Sequence, residues 1–220
     1  MHVRGIPAAP EYRECPHLPC SCGSCATDVA DSGRSQKIVQ THLVDARLLK
    51  VERDSFNAAI CRLALMLIPE RHKALAAVHR GLKAGARFAA IVLSTAEKLP
   101  HISESLAIAR GHLGLPPAPF EDPGMFALGD PAVLRSTFER SGFRDVDVEI
   151  VPSSQRFTSV AAAMEHRRNS LPEMRPFLER MSEAEREAVW NEIETVIRRF
   201  ERSDGAVIVP TERLVAVGTK

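Results

Sequence analysis

Apolar positions begin to recur with a regular period only after residue 36. Ile38 to Val44 is a short apolar-containing run ending in Asp45-Ala46, and it predicts a strand. Phe56-Asn-Ala-Ala-Ile-Cys61 predicts a second strand, after the turn-like Arg53-Asp54-Ser55. Pro69 and Glu70 open a helix in which Leu75, Val78 and Leu82 recur at helical spacing, with Gly85 where a left-handed cap would end it. Ala86-Arg-Phe-Ala-Ala-Ile-Val-Leu93 is apolar almost throughout, as in a strand covered on both faces.

Residues 94–128 read as an excursion from this alternation. Ile102, Leu106, Ala109 and Leu113 fit one helical face, and the prolines of Leu115-Pro-Pro-Ala-Pro-Phe120 forbid a helix there. Asp130-Pro131 starts a helix whose Leu134 and Phe138 face inward and which Gly142 stops. From Arg144 to Val151, Val146, Val148 and Ile150 alternate with acidic residues, which predicts a strand wet on one face, at or near a sheet edge. A helical block runs from about 160 to 202. Its last helix opens with the capping box Ser182-Glu-Ala-Glu185 and buries Val189, Ile193, Val196, Ile197 and Phe200. Ala206–Val209 and Arg213–Val217 close the chain as strand-like pieces separated by Pro210-Thr-Glu.

Alternating strands and helices from 38 to 151 predict an α/β sandwich on a mostly parallel sheet. Ligands of such sheets bind beyond the carboxyl ends of the strands, which directs attention to Asp45-Ala46, Cys61-Arg62-Leu63 and Ser94-Thr95. Residues 1–36 differ: they are rich in Pro, Cys, Ser and Gly and read as an irregular or disordered leader before a domain at 37–220. Their cysteines, Cys15, Cys20, Cys22 and Cys25, have the spacing C-x4-C-x-C-x2-C. Only Cys22 and Cys25 form a hook suited to zinc, and Pro16 and Pro19 cramp the remainder. A formal net charge of +1 across 220 residues gives no bulk attraction to nucleic acid or an anionic membrane. No apolar run reaches spanning length and no apolar signal core stands at the amino terminus, so the expected location is the cytoplasm.

With these elements in order, the chain resembles the class I S-adenosylmethionine-dependent methyltransferases of the branch that methylates small molecules. Asp54-Ser-Phe-Asn-Ala-Ala-Ile-Cys-Arg-Leu-Ala-Leu-Met-Leu-Ile-Pro-Glu70 looks like that family's fourth strand and following loop. His79-Arg-Gly-Leu-Lys-Ala-Gly-Ala-Arg-Phe88 resembles the entry to its fifth strand, with alanines at 84 and 86 where a Pro and a second Gly are usual. Arg144–Val151 is similar to the sixth strand and Gly205–Val217 to the antiparallel seventh. The resemblance spans roughly 38–219 and lies in order and spacing. It implies a truncated Rossmann-like methyltransferase sheet, mostly parallel with an antiparallel C-terminal strand, plus an added helical block, with helical insertions at about 94–128 and 160–202. The family's first strand and glycine-rich cofactor turn find no counterpart around Gly5, Gly23 and Gly33, so the fourth strand would expose an unpaired edge.

The resemblance also implies a site. Asp45 would accept from the adenine amino group of S-adenosylmethionine, the Ala46 amide would meet an adenine ring nitrogen, and Cys61, Arg62 and Leu63 would lie near the methionine part. Each has a plainer alternative: Asp45 as the cap of the next turn, Cys61 as a small buried hydrophobe, Arg62 as a solvated charge. The implied reaction is in-line attack by a small-molecule methyl acceptor on the sulfonium methyl, with no nucleic-acid or membrane partner. His101 and His112 are the candidate bases. His72 and His79, seven apart, do not suit a metal pair, and no metal is expected. Two other readings stay open: an inactive remnant serving as an interaction module, and a zinc-binding protein with an α/β body.

Overall fold

The computed structural model describes residues 42–116, 123–170 and 172–220. Four strands form one sheet: β1 (Phe56–Arg62), β2 (Leu82–Leu93), β3 (Arg144–Phe157) and β4 (Val207–Thr219), in the order β1-β2-β4-β3. β1 is parallel to β2, while β4 is antiparallel to both β2 and β3. Three strands therefore point one way and the C-terminal strand alone opposes them, the sheet that the sequence predicts. β3 stands at an edge, as its alternation requires. Among the described residues β1 pairs only with β2, and Ile60 is 58% exposed.

The helices are α1 (Arg71–Gly81), α2 (Pro100–His112), α3 (Pro131–Glu139), α4 (Val160–Ser170), α5 (Arg175–Leu178) and α6 (Glu183–Arg198). The cap signals act as expected. Asp130 accepts from the Ala132 and Val133 amides at the start of α3. Ser182 and Glu185 close the capping box of α6. Below the sheet, Phe88 of β2, Phe138 of α3 and Phe143 pack with ring centroids 5.2–5.5 Å apart, and Phe88 and Phe138 are wholly buried.

Three expectations need correction. Periodicity carries the first helix to Gly85, but it ends at Gly81, and Leu82 enters the sheet with its side chain buried. Gly81 sits where a Cβ would come 2.7 Å from Val51 Cγ2, so the chain stops turning where it meets Val51 and Phe56. Gly85 does adopt a positive φ, but in the irregular stretch where the β1–β2 register jumps from Leu82 to Arg87, its amide donating to Lys220 O. The two closing pieces are a single strand that runs through Pro210. A proline is tolerated there because that part of β4 pairs with β3 alone, leaving the other edge with no ladder bond to lose. Finally, of the strand expected at 38–44, residues 38–41 lie outside the described residues and 42–44 are irregular. The leader 1–36 with its cysteine cluster, and the prolines at 117 and 119, also lie outside the described residues.

Candidate functional site

β1, β2 and β3 share a direction, so their carboxyl ends gather at one edge of the sheet. At the end of β1, Leu63 takes a left-handed conformation (φ 54°), while its amide still donates to Ile91 O at 2.8 Å. Glu70, at the far end of the following loop, is also left-handed (φ 47°). A non-glycine residue pays about 1–2 kcal/mol for this conformation, so strain brackets the loop after β1.

At the end of β2, buried Ser94 donates from its hydroxyl to Glu212 Oε1 at 2.7 Å, and its amide to Glu212 O at 3.2 Å. Gly129 lies directly on this turn: a Cβ there would be 2.6 Å from the Ser94 carbonyl carbon and 2.8 Å from the Thr95 amide. The Gly124 amide donates to Met66 O. Gly124 and Gly129, at and just past the end of the 94–128 excursion, thus tie it to the loop after β1 and to the end of β2.

The third wall comes from β3 and β4. β4 pairs with β2 only from Arg213 onward but with β3 from Val207, so a two-stranded arm of six residues per strand, about 20 Å, rises beyond β2. Ser153 and Thr211 share a 2.6 Å hydrogen bond on the arm, and Arg213 Nη1 donates to Ser153 Oγ at 2.9 Å. α4 packs against β3 and α6, and α6 against α2 and β4, which makes the helical block a cover beside the arm.

The predicted site residues fall into three environments. Asp45 caps the short turn Ala46–Leu48 and is held by Arg47. Oδ1 accepts from the Arg47 amide at 2.9 Å and from Nε at 3.1 Å, and Oδ2 from Nε at 3.0 Å and Nη2 at 2.6 Å. These bonds hold its carboxyl below the usual carboxylate range, and they fill the roughly four acceptor positions of a carboxylate. Arg47 in turn feels the charge of Glu70, and the 46–48 turn packs on α1, which brings Asp45 and half-buried Ala46 beside the amino end of α1. Cys61 is 2% exposed and belongs to the core, where burial raises its thiol pKa. Its side chain is a small hydrophobe beneath the edge. Arg62 is exposed and Leu63 half-buried at the rim.

The two candidate bases stand in unlike places. His101, in the first turn of α2, is 1% exposed, and burial, with the nearby charges of Arg167 and His166, pulls its pKa down to about 3. A group that weak takes up no proton near neutrality. His112 lies at the other end of α2, about 16 Å along the helix, and hydrogen-bonds to Glu192 Oε1 at 2.7 Å on the outer surface. His79 caps Gly142 O at 3.1 Å and His72 is exposed. No group of His, Cys, Asp and Glu suited to a metal occurs among the described residues. No helix among them is long and apolar enough to cross a membrane. Sequence reasoning missed Arg167, which is buried in the last turn of α4. Its position on an apolar-containing helix face was the only available signal.

Residues 23–90 match a family model described as a methyltransferase domain; the match starts inside the segment read as a leader. No curated protein sequence matches the chain. Among solved structures, a protein of Bacillus halodurans C-125, provisionally named a methyltransferase, is 13% identical with a TM-score of 0.50. The alignment covers 83% of this chain and 78% of that one. The YcgJ protein of Bacillus subtilis is 15% identical (TM-score 0.42), covering 80% of this chain and 68% of that one. The phosphoethanolamine N-methyltransferase 2 of Haemonchus contortus is 16% identical (TM-score 0.41), and this chain spans 36% of its length. At 13% identity and a TM-score of 0.50 the first of these likenesses is one of fold: the described residues share a Rossmann-like methyltransferase fold.

Proposed function

We propose that this chain, folded as a class I methyltransferase domain, is a S-adenosylmethionine-dependent methyltransferase that acts on a small-molecule acceptor. The observation that supports this most is the edge itself: three carboxyl ends, a carboxylate beside α1, and a helical cover over the ends of β2 and β3. S-adenosylmethionine, when bound, supplies a methyl group already activated by the sulfonium charge.

The residues fit its adenine end by exchange. Asp45 accepts the exocyclic amine in place of one Arg47 bond, and the Ala46 amide reads a ring nitrogen. Arg62 and the Leu63 backbone border the methionine part, with Cys61 packing beneath them. The cover excludes water and holds the acceptor in line. Catalysis is then mainly positioning, in keeping with a His101 too weakly basic to serve as general base. Isothermal titration of the full chain with S-adenosylmethionine is expected to give one site. A folded sample that gives no heat and no stabilisation would overturn the proposal.

Two features favour a second reading, an inactive domain used for interaction. Asp45 is already satisfied without a ligand, and Ile60 is exposed on β1, which pairs only with β2 among the described residues. The same titration separates the two readings.

A further inference from the structure

Several arginines of the structure have partners in reach, and Arg213, whose Nε is enclosed and unpartnered, still donates from Nη1 to Ser153 Oγ. Arg199 meets Glu104 at 2.6 Å, Arg198 meets Glu194 at 2.6 Å, Arg156 meets Asp204, Arg47 meets Asp45, and Arg168 lies over the Trp190 ring. Arg167 differs. It is 4% exposed, its Nε is fully enclosed without a hydrogen-bond partner, and it makes no ion pair with any described residue. Burial alone lowers its pKa, to about 10, which leaves it charged at neutral pH with no carboxylate offsetting the desolvation. Glu173 also has an enclosed, unpartnered oxygen, but it leaves no mark on Arg167 and is not its counter-ion. A cation in the last turn of a helix gains something from the dipole, yet here no carbonyl takes the guanidinium.

Buried guanidinium groups are ordinarily paired, because an isolated charge in a low dielectric is costly. A second orphan lies on α2, which packs against α6 as α4 does. His101 Nδ1 is enclosed and unpartnered, and His101 senses the Arg167 charge, which helps keep its ring neutral. A neutral imidazole can carry its proton on Nδ1 and donate it. The pair also stands in a meaningful place. His101 opens α2, which follows the end of β2 through the short turn Ala96–Lys98; Arg167 is on α4, which follows the end of β3. Both lie in the cover over the carboxyl ends, whereas Asp45 lies beside α1, the helix that follows β1.

We infer that Arg167 and His101 form a binding site for an anionic oxygen group, a carboxylate or a phosphate, carried by the methyl acceptor. The guanidinium supplies the charge and a fork of donors, and His101 Nδ1 supplies one further hydrogen bond. Calling the ligand the methyl acceptor rests on the methyltransferase reading. The anion site itself does not.

The test uses the full chain without S-adenosylmethionine, melted in sodium phosphate, sodium acetate or sodium chloride at matched ionic strength. Phosphate or acetate should raise the melting temperature by about 3–8 °C over chloride at saturation. A phosphate-only response identifies a phosphate monoester, an acetate-only response a carboxylate, and a response to both an anion site open to either. Arg167→Met should melt higher than the unmodified protein in chloride and lose the anion increment, and His101→Gln should lose part of it. Equal increments in the unmodified protein and Arg167→Met, or no increment in either, overturn the inference. If Arg167→Met does not fold, Arg167→Lys decides: it should keep the charge and lose most of the increment, and a full increment overturns the site. An anion response with no binding of S-adenosylmethionine would leave this site standing and remove the methyltransferase reading. Cofactor binding with no anion response would do the reverse.

Discussion

Asp45, beside the helix that follows β1, commits both carboxylate oxygens to Arg47, whereas Arg167, in the cover above β3, is enclosed with no partner among the described residues. The two halves of the sheet differ in packing as well. β1 exposes Ala58 and Ile60 along a strand that pairs only with β2 among the described residues, while β3 and β4 pack against α3, α4 and α6, with Phe138 of α3 stacked on Phe88 of β2. A half whose polar groups are satisfied in isolation must break bonds to take a ligand. A half that leaves buried polar groups unsatisfied is stabilised by one. On this comparison the β1 side selects among ligands through exchange, and the β3 side gains most from being filled.

The largest expected effect probes the packing difference. Phe88→Ala removes a fully buried ring that joins β2 to Phe138 and Phe143, and should cost about 3–5 kcal/mol. Ile60→Ala, on the open strand, should stay within about 0.5 kcal/mol, because most of that side chain is already in water. Urea denaturation of the two variants measures both. Comparable losses would mean that β1 is as well covered as the opposite half.

The next effect concerns His101. Its folded pKa of about 3 lies well below the usual 6.5, because burial and the Arg167 charge disfavour the protonated ring. Below pH 6.5 the unfolded chain binds a proton that the folded chain refuses. Stability is therefore intact above pH 6.5 and falls steadily as pH drops toward 3. Between pH 7 and 5 the loss from this one residue should be about 2 kcal/mol, at about 1.4 kcal/mol per pH unit below 6.5. Above pH 5 the exposed carboxylates contribute little to the slope. His101→Leu should flatten the dependence over that window in urea denaturation at each pH. An unchanged slope would show that the buried ring is not the group that titrates.

What the sequence revealed of these halves follows the range of the interactions involved. The start of α3 at Asp130-Pro131, the capping box at Ser182, the edge position of β3 and the strand at Phe56 were legible because each is written in a few adjacent residues. The end of α1 was not, because Gly81 stops the helix through contact with Val51 and Phe56, thirty and twenty-five residues away in sequence. β4 read as two pieces because Pro210 is tolerated only where β2 is absent from its side, a fact of register. Asp45 as the cap of the next turn was legible, but Arg47 as the group that fills it was not. Arg167 was least legible of all. In a helix rich in charge an arginine reads as solvated, and only the packing of α4 on β3 and α6 buries it.

The smallest effect on stability is also the sharpest test of the comparison. The Asp45–Arg47 pair is half-buried but local, two residues apart in one turn, so Arg47→Ala should shift the melting temperature only slightly. It frees acceptor positions on Asp45 that an adenine amine must otherwise win by displacing a guanidinium. One released hydrogen bond is worth about 0.5–1.5 kcal/mol, so S-adenosylmethionine should bind roughly two- to tenfold more tightly to Arg47→Ala by calorimetry. Asp45→Ala should weaken binding by a comparable factor. If Arg47→Ala instead weakens binding as much as Asp45→Ala does, the arginine orients the carboxylate for the ligand rather than competing with it. The β1 side would then be preorganised, and exchange would no longer distinguish the two halves.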